Sequence, residues 1–266
     1  MNAPDKQLTT PYIAKEQQRG IVKLTLNRGE RFNPLSSQMI AALQAELDAL
    51  AHDASARIVI LAGAGRGFCA GHDLKEMRAH PEKAWQKKLF DDCSRMMLAL
   101  TRLPQPVIAR VHGLATAAGC QLVSMCDLAI ASEEARFALP GVNIGVFCST
   151  PAVGVARNVA RKHAMEMLLT GDWVDARTAL EWGLVNRVVP AGRLDAEVER
   201  FCDAICAKSA AVIGLGKQAF YRQMEQGLEG AYDTASETMA CNLLYEDAAE
   251  GMDAFLQKRP AAWRNK

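Results

Sequence analysis

No apolar run in this chain reaches the roughly 20 residues that a membrane-spanning helix needs. The longest, Arg57 to Ala64 and Leu122 to Ala131, stop well short, so no membrane partner is expected. An excess of charge is missing too. Lys and Arg number 31 against 30 Asp and Glu, which leaves no field to draw the protein onto nucleic acid and favours a small-molecule substrate. Met1 to Pro11 has neither an apolar h-region nor an Arg-rich amphipathic pattern, the marks of a secretion or organelle signal. The expectation is a soluble, cytoplasmic protein.

The eight cysteines show no repeating spacing, and a chain of 266 residues with a full apolar complement builds a core without disulfide staples. Reduced thiols follow. Cys69 and His72 form a C-x-x-H pair, and Cys202 and Cys206 share a helical face. Neither set brings the two further ligands of a zinc site, so no metal is expected.

What the sequence does contain is a recurring alternation of strand and helix patterns. Ile21 to Leu26 alternates apolar and polar residues, and Ser36 is placed to cap an amphipathic run through Met39, Ile40, Leu43, Leu47 and Leu50. Arg57 to Leu61 is a β-branched strand that runs into Gly63, Gly65 and Gly67. A helical stretch from Trp85 to Leu103 ends at Pro104 and Pro106, and strand Val107 to Val111 leads into Gly113 and a small-residue run, Ala115 to Gly119. A short helix over Gln121 to Cys126 precedes strands at Leu128 to Ala131 and Arg136 to Ala138. Val142 to Val146 reads as a loop or short strand, Ala164 to Leu169 and Asp175 to Trp182 as helices, and Val185 to Val189 as the last strand. From Asp195 onward the pattern is helical, over Ala196 to Lys208, Gly214 to Gln226 and Tyr232 to Leu256. The alternation predicts an α/β class with a helical tail.

Two small-residue loops stand out. Gly65-Arg66-Gly67-Phe68-Cys69-Ala70 fits G-x-G-x-x-A after a strand, but no long helix opens there, as a dinucleotide fold requires, and no G-K-[ST] follows for a phosphate loop. A plain glycine turn remains an alternative. The second loop, Gly113 to Cys120, enters a helix. Helix starts offer N–H groups without internal partners, which can stabilise an oxygen gaining negative charge. Tight packing is the plainer account of its small residues, whereas two such loops together make an oxyanion hole.

The stretch Gly67-Phe68-Cys69-Ala70-Gly71-His72-Asp73-Leu74-Lys75-Glu76-Met77 resembles the signature of the enoyl-CoA hydratase/isomerase (crotonase) superfamily. So do Asn27-Arg28 with Asn33-Pro34, Val111-His112-Gly113, Cys126 to Ser132, Leu169-Thr170-Gly171, Glu181 to Val185 and Ala254 to Arg259. They follow the family's order from about residue 12 to 262. The resemblance implies a crotonase-like spiral of β-β-α units over residues 1–194 and a helical C-terminal trimerisation region over 195–266. It implies a homotrimer or a dimer of trimers. It further implies an acyl-CoA substrate, with coenzyme A as part of that substrate and no permanently bound cofactor. The thioester carbonyl would be held by the backbone N–H groups of His72 and Ala118. The coenzyme would meet Cys69, Ala70, Gly71, Asp73 and Leu74, with Lys258 near its phosphates.

The pattern departs from the family at the two positions that hold glutamates in its hydratases. Here they are Gln121 and Gly141. An amide orients water but accepts no proton at neutral pH, and glycine has no side chain, so ordinary hydration is expected to be weak or altered. His72 is a replacement candidate for proton transfer. Cys148 falls where the family loop approaches the reacting carbons, and packing is its plainer role. Asp127 reads as a structural residue at a strand start, and Glu133 and Glu134 as surface residues. The segments Ala115 to Val123 and Pro140 to Pro151 are similar to the subfamily of enoyl-CoA hydratase domain-containing protein three. In part they are also similar to methylmalonyl-CoA decarboxylase. The sequence therefore leaves three readings: an altered hydratase, a decarboxylase or other enolate-forming enzyme, and a non-catalytic acyl-CoA binder.

Overall fold

The computed structural model describes residues 10–266, so most of the leader reading at Met1 to Pro11 lies outside the described residues. Strands β1 (Ile13–Gln18) and β2 (Ile21–Leu26) pair antiparallel across Arg19 and Gly20. Both turn residues have positive φ, 50° and 79°, the two-residue turn whose twist matches that of paired strands. β1 buries Ile13 and exposes its last four residues, Lys15 to Gln18, so it carries no alternation to read in the sequence. β2 points Val22, Leu24 and Leu26 into the core.

Ser36 caps α1 (Ser37–Leu50) by accepting the Met39 N–H at 3.2 Å, and the five apolar residues expected on its inner face are all buried. β3 (Ile58–Gly63) follows, then α2 (Leu74–Ala79), absent from the sequence reading and only six residues long. α3 (Lys83–Arg102) stops before Pro104. After it come β4 (Val107–Val111), β5 (Leu114–Thr116) and α4 (Ala118–Ser124). β6 (Leu128–Ser132) and β7 (Arg136–Ala138) lead through a 3₁₀ turn at Pro140–Ile144 into α5 (Ser149–Val155). α6 (Arg161–Thr170), β8 (Val174–Asp175), α7 (Ala176–Glu181) and β9 (Arg187–Val189) complete the strand-bearing part.

The strands form two layers. One sheet runs β1-β2-β3-β4-β6-β9, parallel from β2 onward, and the other runs β5-β7-β8. An isolated bridge between Cys69 and Ala115 extends the second layer, so that Cys69, Ala115, Phe137 and Val174 stand side by side. Each turn of chain thus adds a rung to both layers, which is the expected β-β-α spiral. Parallel strands are buried on both faces. Here Ile58, Ile108 and Ile130 pack outward against Leu194, Val198 and Cys202 of α8 (Leu194–Cys206).

The C-terminal helices continue with α9 (Ala210–Met224), α10 (Leu228–Asn242) and α11 (Glu246–Leu256). The single helix expected over Tyr232 to Leu256 is two. The acidic pair Glu246 and Asp247 suits a helix start, and buried Asp247 accepts the Arg264 and Asn265 N–H groups at 2.6 and 2.8 Å, drawing the tail back. α9 is fastened to the core by a buried charge cluster. Lys217 Nζ meets Asp127 Oδ2 at 2.7 Å and donates to the carbonyls of Leu100 and Gln105, both at 2.8 Å. Asp127 also accepts the Val107 N–H at 2.6 Å and the Tyr221 hydroxyl at 2.9 Å. Asp127 is indeed structural, and its ties reach far beyond the strand start.

Candidate active site

The first loop is held from beneath by one buried amide. Asn33 Nδ2 faces the carbonyl oxygens of Ala64, Gly67 and Phe68 at 2.9–3.0 Å, while its Oδ1 accepts the Arg28 N–H at 2.9 Å. Cys69 then joins the second sheet layer: its N–H donates to Leu114 and its carbonyl accepts from Thr116. The Ala70 N–H goes to the Phe32 carbonyl, and the Ala70 carbonyl accepts the Thr116 hydroxyl. Gly71 (φ 88°) turns the chain so that its carbonyl accepts the Leu35 N–H at 2.8 Å. After this sequence of committed groups, the His72 N–H finds no acceptor among the described residues.

The second loop reaches α4 through Ala117, whose φ of 49° and ψ of −119° are unusual for a residue with a Cβ and cost on the order of 1–3 kcal/mol. This torsion sets the direction of the Ala117–Ala118 peptide. The Ala117 N–H is fixed on the Ala138 carbonyl at 2.9 Å, and the Ala118 N–H, first in its helix, finds no acceptor among the described residues. Glycine lets the loops touch. A Cβ on Gly119 would lie 2.1 Å from the Cys69 carbonyl oxygen, and one on Gly71 would lie 3.3 Å from the Ala118 nitrogen. The loops that carry the two unpartnered N–H groups are therefore in contact at Gly71 and Gly119.

Around them stand the side chains singled out in the sequence. The His72 ring lies edge-on to Phe90 of α3, with ring centroids 5.3 Å apart, and its Nδ1 is 3.2 Å from the Leu35 carbonyl. Its Nε2 is shielded from solvent without a partner. Burial lowers the imidazole pKa from its usual value, partly offset by Leu35 and Glu76. Burial likewise lowers that of His112. A lowered folded pKa means that the unfolded chain binds protons first on acidification. Stability is therefore expected to fall as pH drops below about 6.5, which urea midpoints at neutral and mildly acid pH would register.

Gln121 is buried, one helical turn after Ala118, with its Oε1 unpartnered. Gly141 is not an empty place awaiting a carboxylate. A Cβ there would lie 2.2 Å from the Val146 carbonyl oxygen and 2.8 Å from Cys148 Sγ. Gly141→Glu is accordingly expected to lower the unfolding midpoint and restore no hydration, which denaturation and turnover would each reveal. Burial raises the Cys148 thiol pKa despite an N–H bond from Gly141, so the sulfur stays protonated. Its neighbour Cys120 is pushed up to about 12.

The coenzyme-side residues divide. The N–H groups of Cys69 and Ala70 are already bonded within the fold, and the Cys69 thiol, at about 12, is inert through burial. Asp73 caps α2 through the Lys75 and Glu76 N–H groups and pairs with Arg31 at 2.6 Å. Leu74 is exposed beside it. Lys258 is not drawn into this group. It follows α11 with φ 54°, while the tail beyond it is held on α8 and α9 through Trp263 to the Ala207 carbonyl and Asn265 to the Ala210 N–H. Phe90, Leu35 and Arg31 were missed in the sequence, because each reaches the site from a separate element with no local motif. Among the described residues no cluster of metal-ligating side chains occurs, and no helix is long and apolar enough to cross a membrane.

The family model described as enoyl-CoA hydratase/isomerase matches residues 16–266. A Xenopus laevis protein named enoyl-CoA hydratase domain-containing protein 3, mitochondrial, is 46% identical over 96% of this chain and 86% of its own length. The human protein of the same name is 43% identical, covering 93% of this chain and 82% of its own. A crystal structure of enoyl-CoA hydratase from Mycobacterium smegmatis superposes with a TM-score of 0.94 at 55% identity, over 96% of this chain and 99% of that one. The relatives' names contradict the cytoplasmic placement, since the Xenopus, mouse and human proteins are all named mitochondrial. The cytoplasmic expectation rests on Met1 to Pro11 lacking a signal pattern, and the relatives' names outweigh it.

Proposed function

The chain belongs to the enoyl-CoA hydratase/isomerase family, within the group of enoyl-CoA hydratase domain-containing protein 3, and from that premise we propose that it binds an acyl-CoA and polarises the thioester carbonyl with the N–H groups of His72 and Ala118. The observation that carries this reading is that those two N–H groups both lack acceptors and sit on loops pressed together through Gly71 and Gly119. Preorganised donors of this kind are worth about 2.7–4 kcal/mol each in the transition state. Coenzyme A enters as part of the substrate and leaves with the product. Its adenosine end runs along Cys69 to Leu74, where hydrogen bonding is left to carbonyl lone pairs and to groups around Asp73.

Polarisation moves no proton. With an amide at Gln121 and a closed turn at Gly141, hydration of a conjugated thioester should run well below the rate of a two-glutamate enzyme, since each positioned acid or base contributes about 10²–10⁴-fold. The helical region from residue 195 is the proposed assembly element: α10 buries none of its side chains, and Leu228, Tyr232 and Met239 on α10, Leu244 in the turn after it and Phe255 on α11 are exposed. The test is calorimetric binding of acyl-CoA together with the loss of absorbance from crotonyl-CoA. Binding with slow turnover is expected, and Gln121→Glu should raise that turnover at least 10-fold by restoring one proton acceptor. Absence of acyl-CoA binding would reject the reading.

A further inference from the structure

We propose that the His72 imidazole is the proton acceptor of this site, taking an α-proton of the bound acyl thioester at Nε2. The proposal rests on the polarising reading above and supplies the half that reading lacks. Nδ1 lies 3.2 Å from the Leu35 carbonyl, and a carbonyl can only accept, so Nδ1 carries the hydrogen of the neutral ring. Nε2 therefore holds a lone pair. That atom is shielded from solvent and has no partner in the protein, and an unpartnered buried polar atom calls for a specific cause, of which a catalytic role is one. The Phe90 ring, at an interplanar angle of 87°, holds the imidazole plane, and the backbone N–H of His72 itself is the one offered to the thioester oxygen.

The other titratable groups nearby are committed. Glu76 is engaged by the Ser37 N–H and hydroxyl, and Asp73 by Arg31 and the start of α2. Cys148 is held as a neutral thiol, and Gln121 and Gly141 accept no proton. Around the imidazole, α2 contributes the Glu76 charge, α3 the Phe90 ring and the segment before α1 the Leu35 carbonyl. Burial outweighs Glu76, so the ring is neutral, and able to accept, at neutral pH.

The step balances without a co-reactant. The Nε2 lone pair takes the α-hydrogen, and the C–H electron pair forms the carbon–carbon double bond of the enolate. The carbonyl π pair moves onto the thioester oxygen between the His72 and Ala118 N–H groups. The imidazolium, steadied by Leu35 at Nδ1, then returns that proton to the α-carbon, which restores the substrate, or to the γ-carbon of an unsaturated chain, which moves the double bond. Solvent label enters the α-carbon only when the Nε2 hydrogen is traded with water before the return. The substrate class is thus an acyl thioester with acidic α-hydrogens.

The probes are butanoyl-CoA and but-3-enoyl-CoA in deuterated water, with α-deuterium read by mass spectrometry and the bound carbonyl stretch read by infrared spectroscopy. The wild type should incorporate α-deuterium at a rate that rises with pH to a plateau, with its inflection below about 6.5. His72→Asn keeps a side-chain N–H for Leu35 and the backbone donor but has no basic nitrogen. It should keep the carbonyl shift and lose exchange by about 10²-fold or more. Exchange or double-bond migration at the wild-type rate in His72→Asn, or neither of them in the wild type, with the carbonyl shift present, would overturn the assignment of the base. A wild-type carbonyl with no shift would instead overturn the polarising reading on which it stands.

Discussion

Lys217→Met is expected to cost about 3–5 kcal/mol of folding stability, the usual penalty for leaving a buried ion partner unpaired. That is a large part of the roughly 5–15 kcal/mol that holds a domain folded. Lys217 is only 6% exposed, and Asp127 16%, so water screens the pair poorly. The substitution strands the Asp127 charge and removes the donor from the Leu100 and Gln105 carbonyls. Lys217→Met with Asp127→Asn should regain part of the loss, because the neutral amide oxygen can still accept from Val107 or Tyr221. Urea unfolding of the two variants checks this. Equal midpoints for Lys217→Met and wild type would show that α9 is not fastened by its charge.

Ala118→Pro is expected to lower kcat about 10²–10³-fold on any thioester the enzyme turns over, the effect of losing one oxyanion donor. Proline is suited to the first position of a helix, where the N–H has no internal partner, and Ala118 opens α4 with no acceptor of its own. The variant deletes the donor and also presses the ring on Ala117, whose φ of 49° and ψ of −119° lie outside the extended region that a residue before proline prefers, so acyl-CoA binding is measured beside turnover. Circular dichroism should be unchanged while turnover falls. Turnover at the wild-type level would remove Ala118 from the mechanism.

The sequence made the two donor loops legible because their signals are local: small residues in a run, glycines at the turns, a helix opening directly afterwards. The inner face of α1 was legible for the same reason, its period of apolar residues being read within 14 positions. What escaped was non-local. Asp127 looks like a strand-start residue until Tyr221, 94 positions away, and Lys217 are folded onto it. Gly141 looks like a vacancy where a carboxylate is missing, but the Val146 carbonyl and Cys148 sulfur already occupy the space a side chain would need. The His72 tautomer depends on a carbonyl 37 positions earlier, and no spacing rule announces such a contact. β1 failed as a pattern because it faces solvent, and the break between α10 and α11 because its cause lies in the tail that Asp247 captures.

The central claim is that two backbone N–H groups polarise a bound thioester, and the most direct measurement is the infrared carbonyl stretch of a ¹³C-labelled acyl-CoA, free and bound. Binding to the wild type should move the stretch to lower frequency, as two donors lengthen the C=O bond, and Ala118→Pro should give back a substantial part of that displacement. A bound carbonyl with the frequency it has in water, unaltered by the substitution, would contradict the account.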